Sequence, residues 1–393
     1  MDFGLTPRIK QITLAILLLY EHNFNQYTGR GDLREPYGDY VWLSSVYGLG
    51  MLKGYLQDIP SSNIGEVLKM YRSIKEEIHR GLKVLGEKHG KHGLMYVVGH
   101  SHIDAVWLWP GSETVEKVLR IISTVVRLAE EYNFVYLQSS AQYFKWLEEK
   151  DRELFEVVKN LIKFSKVLPI GGMWIKSDTQ LIDGESLIRQ FLYGQRYFLN
   201  KFNKLCRIGW IPDSFGFLGN LPQILKLSGV EVFVTHKVMW NDTNEFPYHL
   251  FIWRGIDGIE IPVQILTLTY SGMMTPREAE IYWGSYKQRN SAPFTIYVYG
   301  FGDGGGGPTR EMLEYIDLVI SMPRLPAVAH VSEEEYVRKL KEYAQGAPRW
   351  SGELYAEIHR GTYTTNILVK ELMARAEIAL KEAEVFYCPP DLG

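Results

Sequence analysis

Three side chains of metal-ligand type, His100, His102 and Asp104, recur at two-residue spacing inside an apolar run that starts at Val97. On an extended strand that spacing turns all three toward one side. Imidazole nitrogens grouped with a carboxylate suit a divalent transition metal such as zinc. Trp107 and Trp109 follow at once and suit the flat face of a sugar. The plainer alternative is a hydrogen-bonded core histidine beside a capping aspartate, which the repeated His-x-His-x-Asp pattern disfavours. One strand rarely supplies three ligands, so His102 and Asp104 are the expected donors and His100 is expected to stand behind them.

Two further carboxylates sit in turn-forming contexts. Asp213 lies between Pro212 and Ser214-Phe-Gly216. A helix cap would explain it without chemistry, but a cation beside it would keep it ionised at neutral pH and fit to act as a nucleophile. Asp303 precedes four consecutive glycines, Gly304 to Gly307, which let backbone approach a substrate closely. A phosphate loop is excluded because Pro308-Thr-Arg follows where Lys-Ser/Thr is needed. A lid loop with a structural aspartate is the alternative. Two carboxyl groups about 5 to 5.5 Å apart make a retaining glycosidase, and Asp213 and Asp303 are available for those roles. Near the end of the chain, residues 353–365 alternate like a strand and bring His359 as a third protein donor from a separate element.

The elements that must position these groups are legible as short apolar runs alternating with longer amphipathic ones. Strands are expected at 95–99, 134–137, 167–170, 207–211, 232–235, 296–299 and 327–330, and helices at 113–132, 141–164, 185–202, 221–227 and 367–387. Seven β/α units favour an α/β fold built on a closed or nearly closed seven-stranded β/α barrel, with the site at the strand C-terminal ends. The polar clusters follow the first, third, fourth and sixth of these strands, so all converge on one barrel mouth. Three regions are expected: a helical leader over 1–90, the barrel over 91–340, and the start of a helical bundle over 341–393 that carries His359. In the leader, residues 12–20 form an apolar stretch too short to span a bilayer and without a signal-peptide cleavage site, so a buried helix is expected there.

Forty-three basic against 46 acidic residues leave a net charge of -3 over 393 residues, with no basic run that would mark a nucleic-acid surface. A small neutral substrate is compatible with that balance. Ten Trp, 25 Tyr and 17 Phe allow carbohydrate stacking, although most should serve a large core. The two cysteines, Cys206 and Cys388, form neither a disulfide framework nor a thiolate metal site, which points to a reducing cytoplasm.

Taken in order, several segments resemble the glycoside hydrolase family 38 α-mannosidases. They are Gly-His-Ser-His-Ile-Asp104 with Trp107-Leu-Trp-Pro110, Gly171-Gly-Met-Trp174, Gly184-Glu-Ser-Leu-Ile-Arg-Gln190, Trp210-Ile-Pro-Asp-Ser-Phe-Gly-Phe217 with Leu221-Pro-Gln-Ile-Leu225, Trp240-Asn-Asp-Thr-Asn244, Gly302-Asp-Gly-Gly-Gly-Gly-Pro308 and Glu357-Ile-His-Arg-Gly-Thr-Tyr-Thr-Thr365. The resemblance implies a retaining enzyme with one zinc ion, or cobalt in its place, held by His102, Asp104, Asp213 and His359. It makes Asp213 both ligand and nucleophile, forming a covalent mannosyl-aspartate, and Asp303 the best match for the acid/base. Trp109 and Trp240 would line the sugar subsite. Asp178 and Arg189 would face the pocket, unless they serve structural ion pairs. The substrates implied are mannosides or mannose-containing glycans, with no nucleic-acid or membrane partner.

Two departures stand out. Lys176 occupies a position where the family usually carries an acidic residue, and Gln180 one where it carries Asn. The family also continues through a helical bundle into β-sandwich domains, whereas this sequence stops at Gly393. The reading is therefore a catalytic region without the C-terminal β domains. An alternative is a split subunit that needs a complementing polypeptide carrying them. A third is a metal-dependent carbohydrate deacetylase, which would use metal-bound water and no carboxylate pair.

Overall fold

The computed structural model describes residues 90–387 except 323 and 324, together with residues 73, 76 and 80–88. Two compact units divide the chain, Met1–Gly90 with Ser321–Arg324 and Lys91–Ile320 with Leu325–Gly393. In the first unit residues 80–88 are helical. The apolar stretch at 12–20 and nearly all the rest of the expected leader lie outside the described residues, as does Cys388.

The second unit begins with β1 (Leu94–His100), α1 (Gly111–Glu131), β2 (Tyr136–Ser139), α2 (Ala141–Lys150), α3 (Arg152–Lys163) and β3 (Val167–Ile170). Then come α4 (Gly184–Phe202), β4 (Ile208–Trp210), β5 (Gly216–Phe217), α5 (Leu221–Leu227), β6 (Val232–Thr235), β7 (Leu250–Arg254) and β8 (Glu260–Ile265). It ends with α6 (Pro276–Ser285), β9 (Phe294–Tyr299), α7 (Arg310–Ser321), β10 (Ala327–Ala329), α8 (Glu333–Ala344), β11 (Arg349–Ser351), β12 (Leu354–Tyr355) and α9 (Ile367–Tyr387).

The fold is mixed α/β with mostly parallel strands. β1 runs parallel to β9 from Leu94 opposite Phe294 to Gly99 opposite Tyr299. It also pairs with β10 through Leu94 to Tyr96 and with β2 through Gly99 and His100. β2 and β3 complete that sheet in parallel register. β1, β2, β3, β6 and β9 are buried almost throughout, as parallel strands covered on both faces must be. Helix α1 shows the complementary pattern: Val118, Ile121, Ile122, Val125 and Leu128 are buried at three- and four-residue spacing, one stripe of a 3.6-residue period.

A second five-stranded sheet follows the order β11-β7-β8-β6-β4, and β5 pairs with β12 in a small antiparallel ribbon. All seven anticipated strands are present, but the ladders join the strands into two sheets and not into one closed seven-stranded ring. β3 and β4 meet through a single backbone bond, Gly171 N–H to Ile208 O at 2.9 Å. β7 and β8 form an antiparallel hairpin turning at Gly255-Ile-Asp-Gly258, which interrupts the β/α alternation of the second sheet. The helix anticipated over 141–164 is broken in two at Asp151, whose carboxylate accepts the Leu154 N–H at 2.9 Å and caps α3. The region after 340 contains β11 and β12 before α9.

Helix α4 approaches the loop after β3 so closely that only glycine fits at 194. A Cβ there would lie 2.3 Å from Gly172 O and from the Met173 carbonyl carbon. Backbone atoms cannot swing aside as a side chain can, so Gly194→Ala is expected to destabilise the fold by about 1–3 kcal/mol. A lower midpoint in urea unfolding checks this; an unchanged midpoint would show that the contact is loose.

Candidate active site

Each cluster lies just beyond the C-terminal end of a parallel strand, the end at which sites of α/β folds form. His102 and Asp104 follow β1, Lys176 follows β3, Asp213 follows β4, Lys237 follows β6 and Asp303 follows β9. His102, Asp104 and Asp213 offer ligand atoms that all lie within 4.8 Å of one another. His102 Nε2 stands 3.4 Å from Asp104 Oδ1 and 3.4 Å from Asp213 Oδ2. At that length neither carboxylate closes a proper hydrogen bond, and Nε2 is a buried polar atom without a partner. A buried orphan nitrogen between two carboxylate oxygens is what a divalent cation would satisfy, so the donor set fits zinc.

The electrostatics of the trio follow from its enclosure. Burial and Lys176 push the His102 pKa down, but the adjacent Asp213 and Asp104 carboxylates outweigh them and raise it. Burial would raise the pKa of Asp213; His102, Lys237 and the Tyr270 hydroxyl together hold it well below the usual carboxylate range. Two strong contacts account for that. Tyr270 O–H donates to Asp213 Oδ1 at 2.5 Å, and Lys237 Nζ lies 3.0 Å from the same oxygen. Asp213 is thus an ionised, oriented carboxylate, the state a nucleophile requires.

Asp303 enters from the glycine-rich loop at φ 52°, a left-handed backbone that aspartate tolerates better than most residues. The loop is anchored on the segment after β1: Gly304 N–H donates to His102 O at 3.2 Å. Although much of Asp303 is exposed, burial of its carboxyl group raises its pKa. His102 and Lys237 oppose the rise, and the Asp104 and Asp213 charges add to it. Asp213 and Asp303 therefore differ in the sense needed for a nucleophile and an acid.

His100 is fully buried and stands behind the trio. Trp210 Nε1–H donates to its Nε2 at 3.2 Å, and its Nδ1 faces Tyr270 O at 3.4 Å. Burial lowers its pKa, and with both ring nitrogens facing other partners it stands as a support behind the trio. His359 is not part of the trio. Its ring packs edge-on against Phe215 at 4.6 Å and lies 6.2 Å from Trp240, with its backbone at φ 57°. Its pKa is lowered by burial and by Lys237, with Asp213 opposing, so its ring remains within electrostatic reach of the nucleophile candidate.

Trp240 is held over this region by its indole N–H, which donates to His236 Nε2 at 3.0 Å, while His236 Nδ1–H donates to Leu266 O at 2.8 Å. Trp109 sits on the loop after Asp104, its Nε1–H donating to Thr114 Oγ1 at 3.0 Å, and Trp107 beside it is half exposed. Two anticipated substrate contacts are used elsewhere. Asp178 accepts the backbone N–H groups of Gln180 and Leu181 and so ties its own turn. Arg189 spends its guanidinium on Glu185 and, in a two-pronged contact, on Glu384 of α9. These bonds occupy Asp178 Oδ1 and the Arg189 guanidinium.

Lys237 and Tyr270 were not anticipated, and each has a physical reason. Tyr270 follows β8, a strand hidden in the hairpin. Lys237 comes two residues after β6, at a strand end whose neighbours carry no second acidic or histidine pair. The strand-end rule applied to Thr235-His-Lys237 would have found it.

Residues 92–353 match the N-terminal domain of the glycosyl hydrolases of family 38. Among curated proteins, the chain is 40% identical over 309 residues to an alpha-mannosidase of Saccharomyces cerevisiae, covering 74% of this chain and 28% of that protein. It is 37% identical over 298 residues to alpha-mannosidase G of Dictyostelium discoideum, covering 75% and 27%. It is 34% identical over 350 residues to alpha-mannosidase 2C1 of Mus musculus, covering 86% and 34%. The chain thus spans about a third or less of the length of these relatives. In fold it resembles the crystal structure of an alpha-mannosidase from Enterococcus faecalis V583, with a TM-score of 0.58 at 22% identity over 67% of this chain and 31% of that one. With its matched region bringing His102, Asp104 and Asp213 together and Asp303 within electrostatic reach of them, the chain belongs to glycosyl hydrolase family 38, of which it carries the N-terminal domain.

Proposed function

We propose that this chain is the catalytic region of a zinc-dependent retaining α-mannosidase acting on terminal α-linked mannose. The observation that carries the reading is the trio of His102, Asp104 and Asp213 around an unsatisfied imidazole nitrogen, in a chain of this family. His102, Asp104 and Asp213 would hold the ion, with His359 the fourth candidate. Zinc there would supply a Lewis acid beside the sugar.

The chain's own residues then divide the work. Tyr270 and Lys237 orient Asp213 so that one oxygen is tied and the carboxylate stays ionised for attack at the anomeric carbon. Asp303, with its raised pKa, gives a proton to the departing glycosidic oxygen and later takes one from water, leaving a mannosyl-aspartate between the two steps. Trp240 and Trp109 offer aromatic faces to the ring. The two sheets would together act as the barrel whose strand ends bear these groups. Hydrolysis of an aryl α-mannoside should be lost on chelation and restored by zinc; metal-independent turnover would sink this reading.

A second reading rests on α9. Its only buried residue is Glu377, whereas Ile367, Leu372, Met373, Leu380, Val385 and Phe386 are all more than half exposed. Polar links join it to α4: Arg189 to Glu384, Lys381 to Asp183, and the Asp183 N–H to Glu377 at 3.3 Å. Such a face suits packing against further polypeptide, in the same chain or in a complementing one that carries the β domains. Full activity from a monomer of the isolated chain would argue against a complementing polypeptide. We propose a cytoplasmic setting, consistent with the buried free thiol of Cys206; no helix among the described residues is long and apolar enough to cross a membrane.

A further inference from the structure

Two lysines stand by the trio, and they are accommodated differently. Lys237 has a dedicated counter-ion, Asp213 at 3.0 Å, and an aromatic face, with Trp240 centred 3.5 Å from its Nζ. Among the described residues Lys176 makes no ion pair. The polar atom its Nζ meets is His102 Nδ1 at 3.4 Å.

The placement of Lys176 is set by its backbone. Its N–H donates to Ser140 Oγ at 3.2 Å, the Ile175 N–H to Gln190 Oε1 at 2.9 Å, and the Trp174 N–H to Gln190 O at 2.7 Å. Helix α4, held close by Gly194, thus fixes the loop that aims this lysine at His102.

The two nitrogens of His102 face opposite chemistries. Nε2 looks toward the carboxylates of Asp104 and Asp213, and Nδ1 toward Lys176. An imidazole that ligates through Nε2 carries its proton on Nδ1, and metal-bound histidines give that N–H to a carboxylate, a carbonyl or water. An ammonium has three donors and no acceptor. With a cation on Nε2, donor would face donor, and a positive charge would sit directly behind a ligand of another. The charges point the same way: Lys237 is paired with Asp213 before any metal enters, and Lys176, whose pKa burial lowers to about 8, is still mainly an ammonium at neutral pH.

We propose that Lys176 is a positioning residue that acts through His102 to weaken the trio's hold on a divalent cation, so that the ion exchanges readily. This inference rests on the metal site proposed above. It is tested on the full 393-residue chain at neutral pH by calorimetric titration with Zn2+ and by the visible absorption of added Co2+. Lys176→Met removes the charge and the donors, and Lys176→Gln also supplies an acceptor for Nδ1–H. Both should tighten Zn2+ binding about ten- to a hundredfold, Gln more than Met, while the charge-keeping Lys176→Arg stays within about twofold of the parent. Asp104→Asn should weaken binding and reports on the site itself. Parental or weaker affinity in both neutral variants, with Asp104→Asn weakened, overturns the role of Lys176 alone. Unchanged Zn2+ affinity in Asp104→Asn overturns the metal site and this inference with it.

Discussion

Asp213→Ala is expected to lower hydrolysis of an aryl α-mannoside by a factor on the order of 10⁴ or more. The carboxylate has two oxygens with separate duties. Oδ1 receives the Tyr270 hydroxyl and Lys237, and Oδ2 faces His102. Truncation would therefore remove the attacking group and one metal donor together, and leave Lys237, only 7% exposed at its side chain, without its counter-ion. Metal content measured beside kcat separates these effects. Asp213→Asn keeps the shape and one oxygen donor, so a variant that retains metal yet loses turnover identifies the nucleophile. Trapping a mannosyl adduct on Asp213 with a slowly hydrolysed substrate gives the same answer by mass. Turnover within tenfold of the parent would assign the attack to another group.

Asp303→Asn is expected to cost about 10²- to 10⁴-fold in kcat/KM with a poor leaving group such as an alkyl alcohol, and much less with a nitrophenolate that departs without a proton. The sign of the pH effect follows from the raised pKa of Asp303. A carboxyl group with a raised pKa keeps its proton to higher pH than an ordinary aspartate, so activity that needs the acid form falls as pH rises through that value. Removing the group should therefore flatten the alkaline limb of the kcat/KM profile. An equal loss for all leaving groups with an unchanged profile would make Asp303 a structural residue of its loop.

The site was legible in the sequence where its chemistry is local. His102 and Asp104 lie just beyond one strand end, so their short spacing keeps them together, and His100 was set behind them because one strand rarely supplies three ligands. Asp213 and Asp303 were legible because Pro and Gly mark the turns that expose them. The partners of Asp178 and Arg189 were not legible because they are remote or belong to the backbone: Glu384 is 195 residues from Arg189, and the bonds to Asp178 come from main-chain N–H groups that carry no residue signature.

Parallel strands announced themselves through apolar runs with β-branched residues, and the seven anticipated ones lie where expected, to within about two residues. The hairpin of β7 and β8 did not, since Gly-Ile-Asp-Gly reads equally as a loop between a strand and a helix. With β8 came Tyr270, the residue that orients Asp213. What the sequence indicated by itself is His102, Asp104 and Asp213 as candidate donors, because residue type and local turn signals carry that information. Which nitrogen of His102 faces the carboxylates, and that a lysine from another strand end stands at its other nitrogen, are decided only when β1, β3 and β4 are brought together. Those contacts are set by sheet register and by the close approach of α4 at Gly194, neither of which leaves a mark in local spacing.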